Sequence, residues 1–310
     1  MVTLLNPEHL ANLPEDVWID VPHDESEEED FATWLDSGDS YSPATTLKPI
    51  SKLPNGVYKM IMTQDGYKVV KVPLNSDELY TFSEGYTTTI LQEVEDFWNR
   101  IDLYKKYNLS PKRGILLEGP PGSGKSSIIT LLINQLIKED GIVFLINDAN
   151  DFNILANAMK PIVRKIEPDR RIITIIEDVD KLIESFGNND SLILDFMDGK
   201  NSVDNHLIIL TSNDTTSLSP ALLRPSRIDR RYVLPNPSTK IRKEFFNKKG
   251  ITDTDTYVKA TDGMSFAELK EVFIGTQILG KDLNKVVDQI LNPLETRDYF
   301  TTTKKKKIGL

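Results

Sequence analysis

The chain has 310 residues, 39% of them hydrophobic, with 37 Lys and Arg against 47 Asp and Glu and no cysteine. That is enough apolar material for one large domain or a core with smaller attachments, while the missing cysteines exclude disulfides and thiolate metal sites. His9, His23 and His206 are too scattered for a zinc constellation, and no apolar run nears ~18 residues, so the sequence predicts no membrane span.

The opening MVTLLNPEHL lacks the basic region and long apolar core of a signal peptide, which points to a cytoplasmic protein. Residues 1–47 hold twelve Asp and Glu and no Lys or Arg. The remaining 35 acids face 37 bases, so the net charge of −10 belongs to this acidic leader. Asp24–Asp30, DESEEED, cannot bury itself, and residues 1–50 are expected to be poorly folded. Within them Phe31, Trp34 and Leu35 fall at i, i+3, i+4, a spacing that could present one helical face to a protein client or adaptor, or fold back on the body of the chain.

Residues 51–90 change character. Asn55-Gly56 and Asp65-Gly66 are turn signals around β-rich alternating runs, with Tyr58, Met60 and Met62 on one face and Tyr67, Val69 and Lys71 on one face of the next. They predict a hairpin in a small β module. Glu84–Asn108 is mostly helical by the recurrence of Ile90, Val94, Phe97, Trp98 and Ile101.

Arg113–Ile128 reads RGILLEGPPGSGKSSI, in which Gly119, Gly124, Lys125 and Ser126 satisfy G-x-x-x-x-G-K-[ST]. Ile115–Leu117 predicts a buried strand. The glycine-rich stretch Gly119, Pro120, Pro121, Gly122, Ser123, Gly124 can bring backbone N–H groups against phosphate oxygens. Lys125 supplies a point charge, and Ser126, followed by Ser127, offers a hydroxyl to Mg²⁺. The helix opening near Gly124 turns its positive end to the same anion. This is a nucleotide site.

Beyond it, helices at Lys125–Glu139, Phe152–Ile166 and Ser191–Met197 alternate with apolar strands at Ile142–Ile146, Ile172–Ile176, Leu207–Thr211 and Tyr232–Leu234. Such strands predict a parallel sheet covered on both faces, a three-layer α/β sandwich over 91–236. Thr239–Asn247, Phe266–Gly280 and Lys281–Leu291 predict a helical subdomain over 237–310, ending in a basic tail. RIITIIEDVD delivers Glu177 and Asp178 to a strand's C-terminal edge, where a metal-and-water site beside phosphates needs carboxylates. LIILTSND brings Asn213 to the same edge, where a carboxamide could position water or could simply be turn chemistry. SPALLRPSRIDRR holds four arginines in thirteen residues. It reads either as a basic patch or as Arg224 and Arg227 reaching a neighbour's nucleotide.

GPPGSGKS, IIEDVD, LDFMDGK, LIILTSND, PALLRPSRIDRR and LPNPSTKIR follow one another as in the AAA family of AAA+ ATPases, which residues 110–280 resemble. The resemblance implies a P-loop core with a helical lid, ATP and Mg²⁺ as cofactors, and a ring homo-oligomer, usually a hexamer. It assigns Lys125 and Ser126 to Walker A, and Glu177 and Asp178 to Walker B as Mg²⁺ and water-polarising groups. It also makes Asn213 sensor 1, Arg224 and Arg227 the arginines acting in trans, and Ala267 the point where the lid meets the nucleotide. The order Glu177-Asp178 inverts the usual Asp-Glu and resembles the subset of the mitochondrial Rieske-protein translocase, without that subset's membrane helix. The inversion leaves open which carboxylate holds Mg²⁺ and which polarises water. Ser226 stands where glycine is usual between the arginines. Phe152 is the sole aromatic in NDANDFN, where threading enzymes carry a pore residue, and it reads either as that residue or as an aromatic packed at a helix start. The implied work is remodelling of a protein or protein complex. The alternatives are a nucleic-acid-associated motor or loader, which no nucleic-acid motif indicates, and an ATP-gated scaffold.

Overall fold

A computed structural model describes residues 34–36, 38–43, 49–64, 66–73, 82, 85–198, 202–216 and 218–292. The expectations for residues 1–33, including Phe31, and for the basic tail lie outside the described residues.

Along the chain come β1 (Trp34–Asp36), β2 (Ser40–Pro43), β3 (Pro49–Ile50), β4 (Gly56–Thr63) and β5 (Gly66–Lys71). Next are α1 (Thr87–Asn99), α2 (Ile101–Lys106), β6 (Lys112–Glu118), α3 (Lys125–Lys138), β7 (Gly141–Ile146), α4 (Ala149–Ala158) and β8 (Arg171–Ile176). There follow α5 (Val179–Ser185), α6 (Ser191–Asp198), β9 (His206–Ser212), β10 (Arg230–Val233), α7 (Thr239–Lys248), α8 (Thr254–Ala260), α9 (Phe266–Phe273) and α10 (Leu283–Leu291).

The strands form one sheet in the order β10-β6-β9-β8-β7-β4-β5-β2-β1-β3, parallel from β10 through β4 and antiparallel beyond. Every residue of β9 is buried, as expected of a central parallel strand with helices on both faces. Successive residues of β6 feed opposite layers. Leu116 packs with Phe144, Phe152 and Phe196, whereas Ile115 and Leu117 pack with Ile129, Leu132 and Val143. A third cluster, including Phe246, Leu269, Val272 and Val286, is the core of the helical lid.

The expected hairpin pairs Tyr58 with Lys71, Met60 with Val69 and Met62 with Tyr67. It does not stand apart as a module, because Gly56–Tyr58 of β4 pair directly with Ile142–Phe144 of β7. A poorly folded leader does not extend to residue 50 either. β1, β2 and β3 lie in the sheet, and Trp34 is fully buried in a strand rather than on an exposed helical face. Tyr41 and Leu53 join it against Tyr58 and Phe144. Acidic composition averaged over fifty residues hid strands of two to four residues, too short to show a period.

Two long predicted helices change pitch midway. α4 passes into π-helix over Met159–Arg164, where Pro161 lacks the N–H needed to continue the ladder. α9 passes into π-helix over Ile274–Ile278.

Candidate active site

The C-terminal ends of β6, β8 and β9 meet the lid around a cleft of about 1250 Å³. Pro121–Ser127, Glu177, Asp178, Thr211, Asn213 and Ala267 all line it, so the phosphate loop, both carboxylates, the carboxamide and the lid residue converge. Gly119 and Pro120 stand behind the wall, where their carbonyls accept hydrogen bonds from Lys125 Nζ at 2.6 and 3.1 Å.

Gly122 shows why the loop needs glycine. Its φ is +77°, and a Cβ there would lie 2.9 Å from both the Ala267 Cβ and the Ser265 Oγ. The lid is thus seated on the loop, and the Phe266 N–H donates to the Gly122 carbonyl at 3.0 Å. α3 begins at Gly124 with no side chain capping it, which leaves its first-turn N–H groups for an anion.

Lys125 Nζ also donates to Asn213 Oδ1 at 2.7 Å, and Asn213 Nδ2 donates to Asp178 Oδ1 at 3.1 Å. The Asp178 N–H donates to Thr211 Oγ1 at 2.9 Å. One polar chain therefore joins the phosphate-loop lysine to a strand-end carboxylate. Burial pulls the Lys125 pKa down, although Asp178 and Asp180 oppose it. Loss of water around its carboxyl, and then the Asp178 charge, push Glu177 up.

These groups fit Mg²⁺ and a nucleoside triphosphate. Among the described residues no three His, Asp or Glu could hold a metal by themselves, but Mg²⁺ beside phosphates takes one or two carboxylates and the substrate's own oxygens. Ser126, Glu177 and Asp178 offer that set. The Ser123 hydroxyl is buried inside the loop with no partner, an orphan that such a loop tolerates beside an anion.

Arg224 and Arg227 do not line this cleft. Arg224 is exposed, while Arg227 Nη1 donates to the Ala221 carbonyl at 2.8 Å and Nε lies 3.9 Å from Asp198 Oδ2. Phe152 is fully buried, edge-on to Phe186 and Phe196 at 5.7 and 5.5 Å, so it is a core aromatic and not a pore residue. Asp148 caps α4 two residues after β7, which puts Phe152 at the helix start, packed inward as the helix-start reading has it.

Several lining residues were not foreseen. Phe82 stacks on Phe266 at 5.1 Å, and Tyr86, Ile241 and Phe245 complete an apolar end of the cleft. Ile241 and Phe245 lie at i, i+4 on α7, a signal that the lid's own core pattern concealed. Lys181, on α5, was missed because its helix was not predicted.

The sequence model of the ATPase family associated with various cellular activities (AAA) matches residues 115–236. The chain is 29% identical over 236 residues to ATP-dependent zinc metalloprotease FtsH 1 of Phytoplasma mali (strain AT), a match covering 67% of this chain and 39% of that protein. It is 26% identical over 252 residues to ATP-dependent zinc metalloprotease FtsH of Mycobacterium tuberculosis (strain ATCC 25618 / H37Rv), covering 70% and 32%. Protein HYPER-SENSITIVITY-RELATED 4 of Arabidopsis thaliana is 27% identical over 247 residues, covering 71% and 41%. The chain spans well under two thirds of the length of these relatives. With the phosphate loop, strand-end carboxylates and lid of the cleft inside or beside the matched region, residues 115–236 carry an AAA-family ATPase domain.

Proposed function

We propose that the chain binds Mg²⁺-ATP in this cleft and hydrolyses it as one subunit of a ring, of hexameric type, to remodel a protein or protein complex. The observation that carries the reading is the chain Lys125–Asn213–Asp178, which joins phosphate recognition to the water-polarising carboxylate. Lys125, the loop N–H groups and the start of α3 hold the phosphates. Ser126 and Glu177 hold Mg²⁺, which when bound neutralises charge on the phosphoryl oxygens. Asp178 takes the proton of the attacking water, and Asn213 fixes that water's direction. Tyr86, Ile241, Phe245 and Phe266 enclose the base.

Arg224, exposed and outside its own subunit's cleft, completes the neighbour's site. A guanidinium there spreads over the transferring phosphoryl group and is worth on the order of 10³–10⁵ in rate. With Phe152 buried, the grip on a client does not use an aromatic at that position. Recruitment of a protein client or adaptor falls to the acidic leader. The test is ATPase turnover with an unfolded protein, single-stranded DNA, duplex DNA and RNA added separately. Stimulation by unfolded protein alone is expected, and stimulation by a nucleic acid alone would replace protein remodelling with a nucleic-acid motor.

A further inference from the structure

Asp178 occupies the position before α5 at which an aspartate ordinarily caps the helix, accepting from the N–H two or three residues on. It does not cap. Its backbone is left-handed, φ 48° and ψ 56°, and no side-chain cap bond is made. An L-residue rarely rests there, so something must keep the carboxylate out of its ordinary place. Two partners do so. Asn213 Nδ2 donates to Oδ1, and the ammonium of Lys181 binds Oδ2.

Lys181 sits three residues after Asp178, at the position where a capping box would place Glu or Gln to reach back to the backbone. A lysine there reaches back to the carboxylate instead. The side chain is 66% exposed and lines the nucleotide cleft, so the pair lies in the cleft wall beside Asn213. Asp178 Oδ2 is turned toward Lys181 while Oδ1 faces the carboxamide that also receives Lys125. As a mere surface ion pair this contact would contribute little to stability. Its consequence is orientation.

We propose, on the reading of Asp178 given above, that Lys181 is a positioning residue for hydrolysis: it holds the Asp178 carboxylate off the start of α5 and aims its other oxygen at the water site beside Asn213. On that reading the phosphates fall to the loop and Lys125, and Lys181 acts on the carboxylate rather than on the nucleotide. Its loss therefore affects kcat and not KM. An arginine can make the same reach and keep the charge. A methionine cannot.

The experiment compares Lys181→Met, Lys181→Arg and Asp178→Asn in the full chain. Steady-state ATP hydrolysis, affinity for a fluorescent ATP analogue and Tm are measured for each. Lys181→Met is expected to lower kcat about 10- to 100-fold, the scale of a misaimed catalytic group, with KM, analogue affinity and Tm unchanged. Lys181→Arg is expected to recover most of the rate, and Asp178→Asn to abolish turnover while keeping affinity. If Asp178→Asn abolishes turnover but Lys181→Met has wild-type kcat, Lys181 does not position the carboxylate. A fall in Tm or affinity matching the fall in kcat overturns it too, by showing a structural role. If Asp178→Asn keeps its turnover, Asp178 is not the water-polarising group, and the role of Lys181 falls with it.

Discussion

The carbonyl oxygen of Arg227 lies where the side chain of residue 114 would begin: a Cβ built on Gly114 falls 1.6 Å from it. The contact is fixed on both sides, since the Gly114 N–H donates to Asp229 Oδ2 at 2.9 Å and the Asp229 N–H donates to the Gly114 carbonyl at 2.8 Å. The arginine segment is thereby fastened to the start of β6, the strand whose other end delivers the phosphate loop. Gly114→Ala cannot be absorbed by a rotamer change, because the obstacle is backbone. It is expected to cost about 1–3 kcal/mol by overpacking and to slow hydrolysis, with ATP affinity retained. Denaturant unfolding and nucleotide titration check both halves. An unchanged rate would show that the arginine segment works without this seat.

Ser226, between the two arginines, has a φ of +72°, which explains why glycine suits the position. Its N–H donates to Asp229 Oδ1, a bond that glycine would keep. Ser226→Gly and Ser226→Ala both give up the side chain's hydrogen bond to Asp198, but only glycine relieves the left-handed strain, so Ser226→Gly is expected to be the more stable of the two by about 1 kcal/mol. Ser226→Ala keeps the strain and is expected to show no gain. Paired thermal melts of the two variants separate these outcomes.

Phe152 fills the space between Phe186 and Phe196. Phe152→Ala is expected to destabilise the protein by about 3–5 kcal/mol. Phe152→Leu should cost less and leave client-stimulated turnover intact, measured as the ratio of stimulated to basal ATPase. Loss of stimulation in a stable Phe152→Leu protein would return this residue to the pore.

His206 is buried, accepts or donates a bond with Thr174 Oγ1 at 2.8 Å and packs edge-on to Phe196. Burial, helped by Arg164 and Lys112, lowers its pKa from 6.5 to about 3. The unfolded chain therefore binds the extra proton first. The stabilisation is complete above pH 6.5 and is lost as pH falls toward 3, by up to about 1.4 kcal/mol per pH unit. Urea midpoints of wild type and His206→Gln at pH 7.5, 6.5, 5.5 and 4.5 should converge on the acid side. Parallel pH dependences would mean that His206 is not held neutral.

The parallel core and phosphate loop were legible because each central strand is an unbroken apolar run, as in β9, and because G-x-x-x-x-G-K-S restricts backbone and charge together. The sheet's far side was not legible. β1 to β3 are too short for periodicity, and Trp34 is buried by partners that neighbour it only after folding. Asn213 and Asp178 could be placed at one edge from their strands, but their mutual bond depends on a left-handed residue that no sequence period encodes. Lys181 was hidden because α5 was not predicted, and the aromatic end of the cleft because it draws on the linker before α1 and on the lid.

The most direct measurement is turnover against mixing ratio for Arg224→Ala and Lys125→Ala, with subunit exchange verified. Arg224→Ala should bind ATP nearly normally and hydrolyse it very slowly. Lys125→Ala should stay folded and fail to bind tightly, since the ammonium that meets the phosphates is gone. In mixed rings some intact phosphate loops face an intact Arg224 from a Lys125→Ala neighbour, so activity should rise above both pure proteins and peak at an intermediate ratio. Activity that never exceeds the weighted sum of the two pure variants would contradict a ring in which one subunit's arginine completes the next subunit's site.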